Sequence, residues 1–177
     1  MTAQTQISDI TVLRADGNTP LVSGSELPTN GQFIDGEFRP SSSGRSLEVV
    51  DPCTEKSLAQ VPDGTVEDVD AAVAAAIKAQ HQWGKLTPKE RSLILLQIAD
   101  RVEQHSDMLV RLESANTGKP LEVSRDDIAS TVDTFRFFAG AARAITSQAA
   151  ADYTENHLSV IIREPLGVIG VVTPWNY

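Results

Sequence analysis

The side chains best placed to do chemistry stand near the end of the sequence, where Thr173, Pro174, Trp175 and Asn176 occur in succession. They follow residues 168–172, a short apolar stretch rich in β-branched residues, and such a stretch is typical of a strand buried on both faces of a parallel sheet. Ligands of these sheets bind just beyond the carboxyl ends of the strands. The pattern therefore predicts a site at this run. The ordinary alternatives are that Asn176 caps a turn and that Trp175 is a packing residue.

The single cysteine, Cys53, is a candidate nucleophile, but its sequence surroundings argue against that role. It follows the turn-forming pair Asp51 and Pro52. No histidine, lysine or helix N-terminus adjoins it in sequence to stabilise a thiolate. We therefore predict a structural or incidental thiol, and a lone cysteine allows no internal disulfide.

The histidines and Lys119 form no recognisable ligand motif. His81, His105 and His157 are widely spaced, so we predict surface residues rather than a metal triad. Lys119 follows Gly118 but lacks the glycine-rich loop of a phosphate site, which favours a helix stop. The sequence has no Gly-x-Gly-x-x-Gly, so independent dinucleotide binding has no sequence support.

Two hairpins and four helices are predicted ahead of the site. The hairpins turn at Asp35-Gly36 and at Asp51-Pro52. A Thr-Pro-Lys-Glu capping box begins the second helix, and a left-handed glycine followed by proline ends the third. Residues 1–30 are predicted to be a poorly ordered arm. The predicted hairpins span residues 32–38 and 47–61, and the helices span 65–84, 87 to about 102, 107–116 with Ser106 as cap, and 127 to about 146.

Helical periodicity assigns an inward face to each of the longer helices. Three phenylalanines in the fourth helix predict that it is the main packing helix. The inward residues are Val69, Val73, Ala76, Ile77 and Trp83 in the first helix, Leu93, Leu96, Ile98, Ala99 and Val102 in the second, and Val132, Phe135, Phe138, Ala139 and Ala142 in the fourth.

The predicted strand over residues 158–163 mixes apolar and polar side chains, which suits pairing with an edge of another subunit better than full burial. The last predicted strand needs partners that the sequence does not supply. Residues 168–172 need parallel neighbours, and no second run of that character occurs in the 177 residues. We therefore expect the neighbours in further sequence or on another chain, and we expect the uncovered apolar surface to promote association.

Composition narrows the class of function. A net charge of −9, from 15 basic and 24 acidic residues, argues against a nucleic-acid or anionic-membrane surface. No apolar run approaches the roughly 18–20 residues of a membrane span, and the first thirty residues lack a secretory signal. We predict a cytoplasmic protein that handles a small molecule or a protein partner.

From Phe33 to Tyr177 the sequence resembles the aldehyde dehydrogenase superfamily. Several separated motifs carry the resemblance in the expected order. They are Asp51-Pro52, Asn116-Thr117-Gly118-Lys119-Pro120, the Arg-Glu-Pro-Leu-Gly-Val run at 163–168, and Pro174-Trp175-Asn176. Residues 132–143, with Tyr153 and His157, look most like γ-aminobutyraldehyde and betaine aldehyde dehydrogenases.

The resemblance implies the amino-terminal part of an α/β enzyme that oxidises an aldehyde, with an aminoaldehyde as the expected class, to a carboxylic acid with NAD or NADP. It implies that residues 31–156 belong to the NAD-binding domain and that residues 167–177 form the first parallel strand of the NAD-binding sheet. Residues 157–166 would form an oligomerisation β-arm, and the subunits of a homo-oligomer would pair through residues 158–163.

The resemblance also assigns roles to residues. Asn176 would donate to the oxyanion, and Thr173, Pro174 and Trp175 would line the nicotinamide-ribose side of the cofactor groove. Main-chain carbonyls of Val49, Val50 and Asn116 would match a monovalent-cation site of some members. The nucleophilic cysteine and the general-base glutamate would follow Tyr177, so this chain alone is predicted to be inactive. The rival hypothesis is a non-catalytic interaction or remnant module on the same scaffold.

Overall fold

A computed structural model describes residues 31–146 and 151–173, together with the backbone of two short strands, β1 (Val12–Leu13) and β2 (Pro20–Val22). These two strands pair antiparallel, within the stretch for which composition predicts a poorly ordered arm. The described residues form four helices and four two-stranded antiparallel hairpins. This arrangement agrees with the predicted α/β class.

The two hairpins predicted ahead of the helices are confirmed. Strands β3 (Gln32–Ile34) and β4 (Glu37–Arg39) pair in register. Asp35 and Gly36 between them have φ of 53° and 85°, as a tight two-residue hairpin turn requires. Strands β5 (Ser46–Val50) and β6 (Ser57–Pro62) form the second hairpin.

Reciprocal capping boxes begin the first two helices, as predicted. Helix α1 (Val66–Trp83) starts after Thr65, whose side chain accepts a hydrogen bond from the Asp68 N–H while the Asp68 carboxylate accepts one from the Thr65 N–H. Helix α2 (Pro88–Gln104) starts after Thr87 with the same exchange to Glu90. These local patterns fix both helix starts because each satisfies two otherwise unpaired backbone donors.

The third and fourth helices differ from prediction at their starts. Helix α3 (Ser106–Thr117) has His105 at its N-cap with no side-chain hydrogen bond, so the predicted capping role of Ser106 is wrong. Helix α4 (Leu121–Ala144) begins six residues before the predicted start at 127. Pro120 stands at its N-cap, where a proline loses no helical hydrogen bond. The predicted connection after Pro120 is therefore helical.

The core of the described part lies among α2, α3 and α4. Its buried side chains include Ala99, Val110, Val132 and Ala139. A smaller cluster joins Leu58 of β6 to Ala115 of α3, with Val49 packed against it.

The predicted inward faces are confirmed at Ala99 of α2 and at Val132 and Ala139 of α4, which are buried. Other predicted inward residues are exposed because nothing in the described part of the chain covers them. The apolar stripe of α1 is exposed, from 41% at Val73 to 59% at Val69. On α2 the side chains of Leu93, Leu96 and Ile98 are exposed, and on α4 Phe138 is 56% exposed. The buried residues of α4 are Ser124, Val132 and Ala139, and Phe135 is half-buried.

The final stretch departs most from prediction. Strands β7 (Ala151–Thr154) and β8 (His157–Ser159) form a hairpin, so the strand predicted over 158–163 ends at Ser159. Residues 160–173 have no regular secondary structure. The predicted buried strand at 168–172 is not formed, and Val172 is 95% exposed. A parallel strand needs neighbours to satisfy its backbone groups, and the described residues supply none.

Each helix that the structure describes is too short or too polar to serve as a bilayer-crossing segment.

Candidate functional site

The predicted catalytic run is only partly visible. Thr173 is exposed and has no regular secondary structure. Pro174, Trp175 and Asn176 lie outside the described residues. Their roles in binding a cofactor and an oxyanion therefore remain predictions.

The segment leading to that run has no regular secondary structure and is largely exposed to solvent. Gly167 has φ of 109°, a conformation that side-chain-bearing residues rarely adopt. Beyond it, Val168 is 40% exposed and Ile169 is 70% exposed.

Cys53 lies where the tip of the β5–β6 hairpin meets the end of α3. Its backbone N–H donates to the Asp51 carboxylate at 2.8 Å, and its Sγ lies 3.9 Å from the Gly118 carbonyl oxygen. A Cβ on Gly118 would lie 2.9 Å from Pro52 Cγ and 3.4 Å from Cys53 Sγ. These contacts support a structural role for the turn and its thiol.

The three residues of the implied cation site come from the same junction. Val49 packs against the cluster that contains Ala115, the neighbour of Asn116. Among the residues that the structure describes, no group of three or more His, Cys, Asp or Glu side chains could hold a metal ion. A site made of the carbonyls of Val49, Val50 and Asn116 stays a prediction.

Lys119 joins the end of α3 to the start of α4. Its side chain is 12% exposed, with Nζ 2.8 Å from Asp127 and 2.9 Å from Glu113. The hydrogen bonds that Nζ donates to Asp127, and second to Glu113, raise the pKa of Lys119. An ammonium held between two carboxylates supports the predicted helix stop over a phosphate site.

The Asp68 carboxylate accepts several hydrogen bonds within the chain, and the sequence does not reveal all of their donors. Besides the Thr65 N–H, its carboxylate accepts from Gln32 Nε2 at 3.2 Å, from Ser41 Oγ at 3.1 Å and from the Ser42 N–H at 3.1 Å. The Thr65 backbone N–H is the largest cause that lowers the pKa of Asp68, followed among the donors by Gln32. The capping box indicates one of these contacts, but no sequence signal indicates the long-range ones.

A charged cleft between α2, α3 and α4 was also missed by sequence reasoning. Its volume is about 320 Å³, and its lining includes Asp107, Arg125 and Asp133. Arg136 at its edge is bound to Glu103 at 2.6 Å and to Asp100 at 3.3 Å. These ion pairs tie α4 to α2, so the contacts of Arg136 support a role in helix packing.

Comparison with known proteins gives a consistent result. The model of the aldehyde dehydrogenase family matches residues 38–177. The chain is 43% identical over 150 residues to aldehyde dehydrogenase 1 of Tanacetum cinerariifolium, covering 81% of this chain and 29% of that protein. It is 40% identical to acetaldehyde dehydrogenase of Pseudomonas aeruginosa, covering 85% and 30%. It is 35% identical to aminoaldehyde dehydrogenase 2 of Zea mays, covering 85% and 31%.

Solved structures agree with the sequence relatives. The chain superimposes on betaine aldehyde dehydrogenase from Staphylococcus aureus in complex with NAD+ with a TM-score of 0.73 and 32% identity, over 77% of this chain and 27% of that one. The match to HpcC from Thermus thermophilus has a TM-score of 0.78 and 34% identity, over 85% and 29%. The chain thus spans less than a third of the length of these relatives.

Proposed function

The chain belongs to the aldehyde dehydrogenase family, and from that premise we propose that it is the amino-terminal part of an NAD(P)-dependent enzyme that oxidises an aldehyde to a carboxylic acid. The observation that carries the proposal is the family match over residues 38–177. Two further observations support it. The chain spans only 29% to 31% of three relatives, and apolar surface stands uncovered on α1 and along 168–172.

The substrate class that we propose is an aminoaldehyde. Relatives named aminoaldehyde dehydrogenase 2 of Zea mays and betaine aldehyde dehydrogenase 1 of rice are each 35% identical to this chain. The motif at residues 132–143, with Tyr153 and His157, supports the same class. The 40% identity to an acetaldehyde dehydrogenase makes a small alkyl aldehyde the comparison substrate for any assay.

In the proposed reaction Asn176 is the residue of this chain that stabilises the reacting atoms. Attack of an enzyme thiolate on the aldehyde carbon gives an oxyanion, and an amide N–H held beside it in a dry pocket stabilises that charge. We propose that this donor is Asn176. The thiol and the general-base glutamate would come from polypeptide beyond this chain.

The proposed cofactor groove involves Thr173, Pro174, Trp175 and Asn176. The bound nicotinamide supplies the acceptor for the hydride of the aldehyde carbon. Of these four residues the structure describes only Thr173, which is exposed, and the sequence has no glycine-rich phosphate turn. The proposal therefore assigns the main cofactor contacts to the rest of the enzyme. We also propose that the enzyme is a homo-oligomer that uses residues 158–163 as an arm.

The rival function, a non-catalytic interaction module, is favoured by the same exposed apolar surface. The two differ in what the reading frame encodes. An enzyme requires a cysteine and a glutamate in polypeptide joined to this chain, whereas an interaction module does not.

The test is to express the whole reading frame that contains this chain and to measure aldehyde-dependent reduction of NAD and NADP, with an aminoaldehyde and acetaldehyde as substrates. We expect turnover, and we expect Asn176→Ala to lower kcat by roughly 10²–10³. Cys53→Ala is the control and should leave kcat unchanged. A frame without turnover, or an inactive Cys53→Ala beside an active Asn176→Ala, would refute the proposal.

A further inference from the structure

The cleft between α2, α3 and α4 combines an apolar floor with a charged rim. Its volume of about 320 Å³ lies at the lower end of the range of about 300–1,000 Å³ that small-molecule sites occupy. Two of the side chains that form its floor, Val110 of α3 and Val132 of α4, are buried. Ile128 and Ala129 of α4 continue this apolar surface. The cavity can therefore hold a small ligand that has an apolar part.

Two of the five charged side chains that line the cleft neutralise each other. The Arg136 guanidinium lies 2.6 Å from the Glu103 carboxylate. The other three are Arg125 and Asp133 of α4 and Asp107 of α3. None of these three forms an ion pair with another residue that the structure describes. The cleft therefore offers one guanidinium and two carboxylates to a ligand.

The order of the lining groups along α4 sets the form of a ligand that would match them. Arg125, Ile128, Val132 and Arg136 recur every three or four residues, so they lie along one side of the helix. Arg125 and Asp133 are eight residues apart, which is about 12 Å along the helix axis. Apolar surface lies between them. A matching ligand has a carboxylate at one end, an ammonium group at the other and a short alkyl chain between.

Each part of such a ligand has a partner in the cleft. A guanidinium binds a carboxylate through two parallel N–H donors. An ammonium group has three donors and no acceptor, which suits the carboxylates of Asp107 and Asp133, and the alkyl chain gains from burial on the apolar floor. A simple anion would be repelled by the two carboxylates, and a simple cation would be repelled by Arg125.

We propose that the cleft binds a short ω-amino carboxylic acid in its zwitterionic form, with the carboxylate at Arg125 and the ammonium group at Asp107 and Asp133. This ligand class follows from the side chains that line the cleft. Oxidation of an aminoaldehyde at its aldehyde group gives an acid of the same class. The identity of the ligand as a reaction product rests on the proposed function, whereas the binding site itself does not.

The test measures binding of 4-aminobutanoate to the 177-residue chain by ligand-observed NMR. Butanoate and butylamine, each of which carries one of its two charges, are the comparison ligands. We expect 4-aminobutanoate to bind with a Kd of about 1 mM or lower, as suits a ligand with few non-hydrogen atoms. Each comparison ligand should bind at least about tenfold more weakly, because it leaves a charge of the cleft unpaired.

Matched variants locate the binding site. Arg125→Gln and Asp133→Asn each remove one charge from the cleft and should weaken binding of 4-aminobutanoate at least about tenfold. Arg143→Gln and Asp126→Asn make the same changes at exposed positions of α4 outside the cleft, and they should change the Kd by no more than about twofold. Asp107→Asn tests the second carboxylate from a different helix. Helix content by circular dichroism, equal in all variants, shows that each has folded.

Three results would overturn the proposal. They are no binding of 4-aminobutanoate to the parent chain, equally tight binding of butanoate or butylamine, and equal weakening by Asp133→Asn and Asp126→Asn. The measurement needs no turnover. Binding by the chain, together with a whole reading frame that oxidises no aldehyde, would therefore defeat the proposed activity and retain the binding site. Turnover by the whole frame without binding at the cleft would do the reverse.

Discussion

At the scale of single residues, Asp68 holds together three separate segments of the amino-terminal half. Its carboxylate caps α1 and accepts hydrogen bonds from Gln32 of β3 and from Ser41 and Ser42 in the loop after β4. Charge-assisted hydrogen bonds of this kind are stronger than neutral ones. The hairpin β3–β4 and helix α1 are therefore positioned by one ionised group.

This arrangement predicts an acid-sensitive fold. The donors, led by the Thr65 N–H, hold the pKa of Asp68 below its ordinary value. The folded-state pKa thus lies below the unfolded value of about 3.9. The stabilisation is fully present above that value and is lost as pH falls from about 5 toward the folded-state pKa. Asp68→Asn should lower the thermal midpoint at pH 7 and flatten its decline between about pH 5 and pH 2.

The control is Asp70→Asn, which removes the same charge from an exposed position of the same helix. Its thermal midpoint at pH 7 should change less than that of Asp68→Asn. Equal midpoints and equal acid profiles for both variants would show that the hydrogen bonds of Asp68 do not stabilise the fold.

At the scale of elements, two glycines differ in whether a side chain could replace their hydrogen, one at a helix end and the other in a helix interior. Gly118 ends α3 with φ of 77°, and a Cβ there would approach Pro52 Cγ to 2.9 Å. Gly140 lies inside α4, where a Cβ would meet nothing within 4 Å. One glycine is required by the junction with the β5–β6 hairpin, and the other only weakens its helix.

The two positions therefore predict changes of opposite sign. Gly118→Ala should destabilise the chain by roughly 1–3 kcal/mol because of backbone strain and the contact with Pro52. Gly140→Ala should stabilise it by about 0.5–1 kcal/mol because alanine loses less backbone entropy in a helix. Urea unfolding followed by circular dichroism measures both. A Gly118→Ala chain as stable as the parent would contradict the assigned helix end.

Elements set by neighbouring residues were predictable, and elements set by distant contacts were not. The Thr65 and Thr87 capping boxes and the Asp35-Gly36 turn act within four residues, so the sequence alone indicates them. Helix α4 was predicted to start too late, because Asp126 and Asp127 resemble a first turn although Pro120 already begins the helix. Strand β7 was missed because four residues are too short a run for their alternation in polarity to identify a strand. A second local signal is Asn156, which turns the hairpin with φ of 61°.

At the scale of the whole molecule, the described chain has too little core for its apolar content. Buried positions among α2, α3 and α4 include small residues such as Ala99 and Ala139, while Phe137 and Ile162 are 66% and 77% exposed. Inward faces predicted from periodicity therefore failed wherever the covering layer is not part of the described chain. The same reason accounts for the unformed strand at 168–172. For the candidate site, the sequence could indicate residue types and their order at 173–176, but not their geometry.

The uncovered surface predicts association of the isolated chain. Exposed apolar patches drive proteins together, so the purified 177-residue chain should elute ahead of a 19.1 kDa monomer. Sedimentation velocity at several concentrations checks this. A single sharp monomer with cooperative thermal unfolding would contradict the account of the exposed faces.

The chain belongs to the aldehyde dehydrogenase family, and we propose that its active site is completed by further polypeptide. The most direct measurement is aldehyde-dependent reduction of NAD by the isolated 177-residue chain, run beside the whole reading frame under identical conditions. The account predicts no rate above background for the isolated chain and turnover for the whole frame. Turnover by the isolated chain would contradict this account. So would a folded product of the whole reading frame that shows no turnover.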